Sequence, residues 1–291
     1  MLTLRLVAAT RTVWQAGEAR RDWYRAPRLG SAWLEYAASG LMVAFLALPL
    51  LGLLLRAVTM GELWASLTRP IALDALKLSM LTTTLVLVLA LALGSPLALV
   101  LARRRFPGRI LVDTLVDLPI VLPPAVAGLA LLLTIGRRGL LGPALFAVGI
   151  QLPFTTAAVV VAALFVAAPF YIRAARAGFL AVPHEIEEAA MVEGASEWQV
   201  FRYVTAPAAG PALLGGAILC GARALGEFGA TIMFAGSFEG RTQTLPLAIY
   251  AALESDLDAA VSMSVVLLLV SAVALVTFRV WLGRSLDNAA G

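Results

Sequence analysis

RAARAGFLAVPHEIEEAAMVEGASEWQVFRYVTAP, residues Arg173–Pro207, is a long polar stretch held between apolar blocks that could each cross a bilayer. Its local signals predict two short helices. Pro183 opens the first, because a first-turn proline has no N–H to leave unpaired. Glu185, Glu187 and Glu188 follow, where the helix dipole favours negative charge. Gly194 ends it, since glycine takes the left-handed cap conformation at little cost. Ser196 with Gln199 three residues later reads as a capping box opening the second helix, and Pro207 is expected to stop that helix. The result is a helix–glycine turn–helix between two spans.

The rest of the chain sets this segment in a membrane. Of 291 residues, 61% are hydrophobic and only 14% charged, and the mean hydropathy is +0.91. An average soluble domain is about a quarter charged. The expected fold class is therefore all-α, a polytopic membrane protein of about six transmembrane helices. The single cysteine, Cys220, excludes an internal disulfide and a Cys-cluster metal site, and the lone His184 excludes a histidine-based one. No cofactor is expected. The chain is basic, but its charge falls in short segments beside apolar spans, as orientation signals do. It forms no basic patch interleaved with aromatics, so nucleic acid is not an expected partner.

Taken in order, residues 1–35 form an arginine-rich tail, with an interfacial segment expected around Trp23, Tyr24 and Trp33. A transmembrane domain over 36–284 carries spans near 37–55, 78–102, 115–135, 154–172, 208–225 and 259–281, and 285–291 is a short tail. Pro119, Pro123 and Pro124 make the third span non-ideal, with unwinding expected at its start. Such backbone is tolerated in a membrane only where it is buried in protein or lines a cavity. Gly226–Thr231 interrupts the fifth span. With both ends inside, fifteen arginines fall on inner segments and five on outer ones. This places residues 173–207 on the cytoplasmic side, with both termini.

Two constellations carry function. Arg223 and Glu227 lie four apart on one helical face of the fifth span. Charges inside a membrane are costly and mark a functional site by default. Two readings stand: a lining or gate of an anion path, or an ion pair that pins helices together. The path set is Arg223, Gly226, Glu227, Gly229, Thr231 and Pro123. The second constellation is defined by what is missing. The only lysine is Lys77, and no Gly-Lys-Ser/Thr occurs, so the chain has no P-loop. No catalytic residue is expected, and ATP-driven transport would need a separate ATPase.

The opening segment also carries a resemblance. Glu188-Ala189-Ala190, three residues, Gly194, nine residues, then Val204-Thr205-Ala206-Pro207 resembles the EAA loop of ABC importer membrane subunits. Val204 stands for the family's isoleucine and Ala206 for its leucine. The resemblance implies a cytoplasmic coupling loop, with Glu188, Ala189, Ala190, Gly194, Ala195, Ser196, Val204 and Pro207 docking in a groove of the ATPase. Ala222–Gly236, Arg241–Tyr250 and Leu118–Pro124 are similar to stretches of molybdate importer permeases, and the likeness runs over about residues 40–282. Sulfate and tungstate permeases share much of this vocabulary. The resemblance implies a homodimeric permease with two ATPase copies and an extracytoplasmic oxyanion-binding protein, embedded in the lipid of a bacterial or archaeal cell's inner membrane. A secondary transporter acting alone is the reading from another class; it would want a midplane site on broken helices and would leave the EAA-like loop unexplained.

Overall fold

The computed structural model describes residues 32–61 and 68–290. The arginine-rich stretch, with Trp23 and Tyr24, lies outside them. The chain divides into two compact units, Met1–Leu55 and Arg56–Gly291. The described part of the first belongs to helix α1, Ala32–Met60. It contains Trp33 and Pro49 and is apolar enough to cross a membrane.

The second unit is built of helices throughout its described residues. They are α2 (Pro70–Arg103), α3 (Arg109–Val121), α4 (Pro124–Ile135), α5 (Gly142–Ala147), α6 (Thr156–Ala181) and α7 (His184–Val192), followed by α8 (Glu197–Leu225), α9 (Gly229–Ala235), α10 (Leu245–Leu253) and α11 (Leu257–Ala290). Five described helices, α1, α2, α6, α8 and α11, are long and apolar enough to span a membrane, and α4 is a shorter apolar one.

The third expected span is thus not one helix. It breaks in its middle, at Leu122–Pro123, rather than unwinding at its start. Leu122 and Pro123 each precede a proline, and the ring of the following residue disfavours helical backbone. Both are extended, with ψ of 134°. One further expectation on an element end is corrected. α11 runs to Ala290, so residues 285–290 continue the last helix instead of forming a tail. Between the fifth and last spans the chain forms a further short helix, α10.

Helix α6 sits at the centre. One cluster joins Val86, Ala90, Ala98 and Leu101 of α2 to Tyr171, Ala175 and Phe179 of α6 and to Ala209 and Cys220 of α8. A second joins the other side of α6, at Ala158, Val159, Ala162 and Val166, to Ala127 of α4 and Phe234 of α9. Small residues make these approaches close, as in membrane helix packing generally. A Cβ on Gly178 would lie 2.6 Å from the Cβ of Ala212, one on Gly216 2.7 Å from that of Ala174, and one on Gly94 3.0 Å from the Tyr171 ring. Tyr171 itself reaches across to Ser95, 2.5 Å from hydroxyl to hydroxyl.

At the opposite end of the helices from α7, Arg69 pairs with Asp256, which also accepts the N–H of Ala259 at 2.9 Å. Those two contacts, the Ala259 N–H first, hold the Asp256 carboxyl below the usual range. A depressed native pKa means the contribution is present above the ordinary carboxylate pKa and is lost as pH falls through the lowered value. Asp256→Asn should therefore lower the melting temperature in detergent at neutral pH, with the gap to the parent closing in acid. For the core, Gly178→Val should destabilise by about 1–3 kcal/mol through overpacking against a side chain with nowhere to rotate. Gly210→Ala, where no atom lies within 4 Å of the added Cβ, should be neutral or stabilising by up to about 1 kcal/mol. Thermal unfolding of the two variants in one detergent checks the contrast.

Candidate functional site

The helix–turn–helix predicted in Arg173–Pro207 is present, but it is shorter than the polar stretch. α6 continues through Arg173 and Arg176 to Ala181, so the connection begins only at Val182. Pro183 precedes α7 with extended backbone. α7 ends in a complete Schellman arrangement: Ala195 N–H donates to Ala190 O at 3.1 Å and Gly194 N–H to Met191 O at 3.0 Å. Gly194 has φ +94°, and nothing lies within 4 Å of where its Cβ would be. Its glycine is thus required by backbone conformation, and the space around it is open to a partner. The capping box is formed in full, Ser196 N–H to Gln199 Oε1 at 2.8 Å and Gln199 N–H to Ser196 Oγ at 3.4 Å.

Pro207 does not stop the second helix. α8 runs unbroken from Glu197 to Leu225 by widening at Phe201–Thr205 into a π-helical turn, closed by Ala206 N–H donating to Phe201 O. A proline in a helix interior removes one N–H and crowds the carbonyl four residues back. The wider turn immediately before it accommodates both, so the connection and the fifth span share one helix. Val204 and Ala206, the two departures from the EAA pattern, lie at this turn, both partly buried.

The outer face of the segment is apolar and open. Ile186, Met191, Val192 and Tyr203 are exposed, and Trp198 is 68% exposed. Glu188 and Ala189 are exposed as well, while Ala190 and Ala195 are partly covered. The inner face is set by a residue that the sequence reading took only for a first-turn acid. Glu187 is 8% exposed. Its Oε1 accepts Arg103 Nη2 at 2.8 Å and the Thr205 hydroxyl at 2.6 Å. Arg103 also donates to Val182 O at 3.2 Å, and its Nη1 lies 3.1 Å from His184 Nε2. A guanidinium only donates, so Nε2 accepts and the other ring nitrogen, 3.4 Å from Glu187 Oε2, carries the proton. Spacing alone did not distinguish Glu187 from Glu185 or Glu188, since all three suit the first turn.

A second set of charges fastens α3 to α6. Arg176 Nη1 donates to Asp113 Oδ1 at 2.5 Å, and Arg173 pairs with Asp117 one turn further along. Asp113 and Asp117 share a face of α3 at i,i+4, and Arg109 turns back to Leu101 O at 2.7 Å.

The two irregular places in the spans meet. α4 starts at Pro124 and α9 at Gly229, and a Cβ on Gly229 would lie 2.8 Å from the Pro124 Cβ. A Cβ on Gly128 would lie 2.6 Å from Ala230 O. Arg223 Nη1 is 2.6 Å from Glu227 Oε2. The other Glu227 oxygen accepts Ala230 N–H at 2.7 Å, in the first turn of α9. Glu227 is buried at 2% exposure while Arg223 is partly open. The carboxylate thus holds Arg223 and caps α9 at once. Gly226 and Pro123 are exposed, Gly229 is partly covered and Thr231 is buried. Among the described residues, no group of His, Cys, Asp and Glu is arranged to hold a metal ion.

Comparison with known proteins accords with this geometry. Residues 93–288 match the family described as binding-protein-dependent transport system inner membrane component. The chain is 44% identical over 232 residues to the molybdenum transport system permease protein ModB of Mycobacterium tuberculosis, covering 79% of this chain and 87% of that one. It is 39% identical to ModB of Escherichia coli over 62% of this chain and 80% of that one. The molybdate/tungstate transport system permease protein WtpB of Thermococcus kodakarensis is 39% identical, with 69% of this chain and 76% of that one covered. Among solved structures, a bacterial ABC transporter involved in alginate import shares the fold at TM-score 0.67 and 17% identity, over 94% of this chain and 99% of that one. The MetNI methionine ABC transporter does so at TM-score 0.56 and 18% identity, over 74% and 95%.

The local geometry makes its own prediction. Ser196→Ala removes one half of the capping box and should cost about 1 kcal/mol. Gly194→Ala forces a Cβ into left-handed backbone and should cost about 1–2 kcal/mol. Both changes act on short-range bonds between α7 and the start of α8, so the loss should stay local. Faster limited proteolysis at residues 193–197, with little change in the global melting temperature, is the expected outcome.

Proposed function

The chain belongs to the family of binding-protein-dependent transport system inner membrane components, and from that membership we propose that it is the membrane permease of an ATP-driven importer for molybdate. The observation that carries this reading is the 44% identity to a molybdenum permease over most of both chains. The likeness to a molybdate/tungstate permease supports tungstate as a second cargo. The two ions share charge, tetrahedral shape and nearly the same size, so one path suits both.

Transport of a dianion into a cell needs a driving force. At about 150 mV, negative inside, the potential alone opposes entry by about 7 kcal/mol, at about 2.3 kcal/mol per charge per 100 mV. The chain has no P-loop of its own, so hydrolysis falls to a partner. Two ATPase subunits dock on two copies of this permease, and an external binding protein delivers the anion. The docking surface is α7, the Gly194 turn and the start of α8. Glu188, Ala189, Ala190, Gly194, Ala195 and Ser196 enter or border the ATPase groove, and Val204 and Pro207 lie at the widened turn behind it. Supporting this are the open space at Gly194 and the exposed Ile186 and Trp198. The segment and both termini are cytoplasmic, as the arginine distribution requires.

The anion path runs by the meeting point of α4 and α9. Arg223 offers the positive charge there, and Glu227 keeps it oriented while capping α9. Gly226, Gly229 and Pro123 leave that backbone free of bulky side chains, and Thr231 packs behind it.

Uptake by cells carrying the whole system tests the substrate. Unlabelled molybdate and tungstate should compete with labelled molybdate, and equimolar sulfate should not; effective competition by sulfate alone would reassign the cargo. For the docking surface, Gly194→Trp should still insert, with Gly194→Ala as the control that carries the same backbone strain at φ +94° without the bulk. The bulky variant should nonetheless lose ATPase co-purification and uptake. Wild-type uptake by that variant would remove Gly194 from the docking surface.

A further inference from the structure

We propose that Glu187 is a positioning residue for transport: its buried carboxylate locks the docking helix α7 to the ends of α2 and α8, so that the three move as one body when the ATPase moves. The inference rests on the permease reading above and concerns how motion leaves the docking surface rather than how the ATPase binds.

The helix–turn–helix is locally self-sufficient. The Schellman turn at Gly194 and the Ser196–Gln199 capping box fix α7 against the start of α8 by short-range bonds. Neither bond reaches α2. That link is made by Glu187 and Arg103, 84 residues apart in sequence, at 2.8 Å, with side chains about 10% and 13% exposed. The same oxygen takes the Thr205 hydroxyl from the π-helical turn of α8. Arg103 adds the Val182 carbonyl at the end of α6. One carboxylate and one guanidinium therefore gather four helices, α2, α6, α7 and α8. Glu187 faces inward while its neighbours Ile186 and Glu188 face out, so it lies behind the docking surface and acts through Arg103 and Thr205. A charge-assisted pair is strong and directional. Removing one partner of a largely buried pair leaves the other uncompensated, which loosens α7 from α2 while leaving α7 folded.

The test uses the complete importer, permease with ATPase and binding protein, in proteoliposomes with molybdate as cargo. Co-purification of the ATPase, ATP hydrolysis and uptake are measured on the same preparations. E187Q should assemble with the ATPase as the parent does and still hydrolyse ATP, while molybdate moved per ATP falls at least about fivefold, the lower end of measured coupling effects. The exchanged pair R103E/E187R should recover part of that ratio. If E187Q does not accumulate, T205V, which removes only the hydroxyl's bond to the carboxylate and keeps the Arg103 pair, is read for a smaller drop in the same ratio. An unchanged ratio overturns the proposal. So does a parallel fall of hydrolysis and uptake that leaves their ratio intact, because a merely structural role produces that. A parent permease that captures no ATPase would instead overturn the permease reading, and the two failures are distinct.

Discussion

The fold depends on how closely α6 approaches its neighbours. In a bilayer, lipid tails are as apolar as leucine, so helices gain little from hiding apolar surface on one another and rely on contact. Here contact is made by deleting side chains. Gly178 faces Ala212, Gly216 faces Ala174, and Gly94 faces the Tyr171 ring. These three places lie on or directly against one stretch of α6, from Tyr171 to Gly178, and they seat α2 and α8 together on it. Larger residues in the same gaps would hold the helices apart and leave the Tyr171–Ser95 hydrogen bond out of reach. Every functional element discussed above is attached to one of these three helices.

Against that rigid centre, the two breaks are costly and therefore informative. Backbone polar groups without partners are expensive in lipid, yet the chain interrupts two spans, at Leu122–Pro123 and at Gly226–Phe228. The costs are met locally. Leu122 N–H donates to Leu118 O and Ala127 N–H to Pro123 O on the two sides of the first break. Glu227 supplies an acceptor to Ala230 N–H after the second. That the second halves, α4 and α9, then pack on each other through Gly128 and Gly229 makes the breaks a single structural feature shared by two spans.

Much of this was legible in residues and some was not, for reasons of range. Gly194, Ser196 and Gln199 act within five residues of one another, and local chemistry predicted them. Pro123 and Pro124 also act locally, on the residues before them, although the break falls later than expected. Pro207 reads as a stop, and the π-helical turn that absorbs it uses no special residue. The charges of Arg173 and Arg176 predict an end of α6 at Ile172; their partners Asp113 and Asp117 lie more than fifty residues away. Glu187 carries no local signal for the same reason, since its role depends on Arg103. Partners distant in sequence leave no periodic trace.

Two routes lead from the helix–turn–helix segment to the breaks, one along a single helix and one through long-range pairs. α8 is one continuous helix from the capping box at Ser196 to the break at Gly226. On the proposed reading, a displacement of its first turn is carried along it toward Arg223 and Glu227, past the π-helical turn and Pro211. The other route passes down α6, whose last turns carry Arg173 and Arg176. These hold Asp117 and Asp113 on α3, and α3 ends at Leu122. Each route is short and continuous, and the second contains two pairs of opposite charges where α3 would otherwise slide past α6. Slip at such a joint costs an ion pair, whereas slip at an apolar joint costs little, because one apolar contact in lipid replaces another. On the proposed reading, charges are therefore placed where a docked ATPase's movement has to pass from one helix to the next, and small apolar residues where helices only need to stay together.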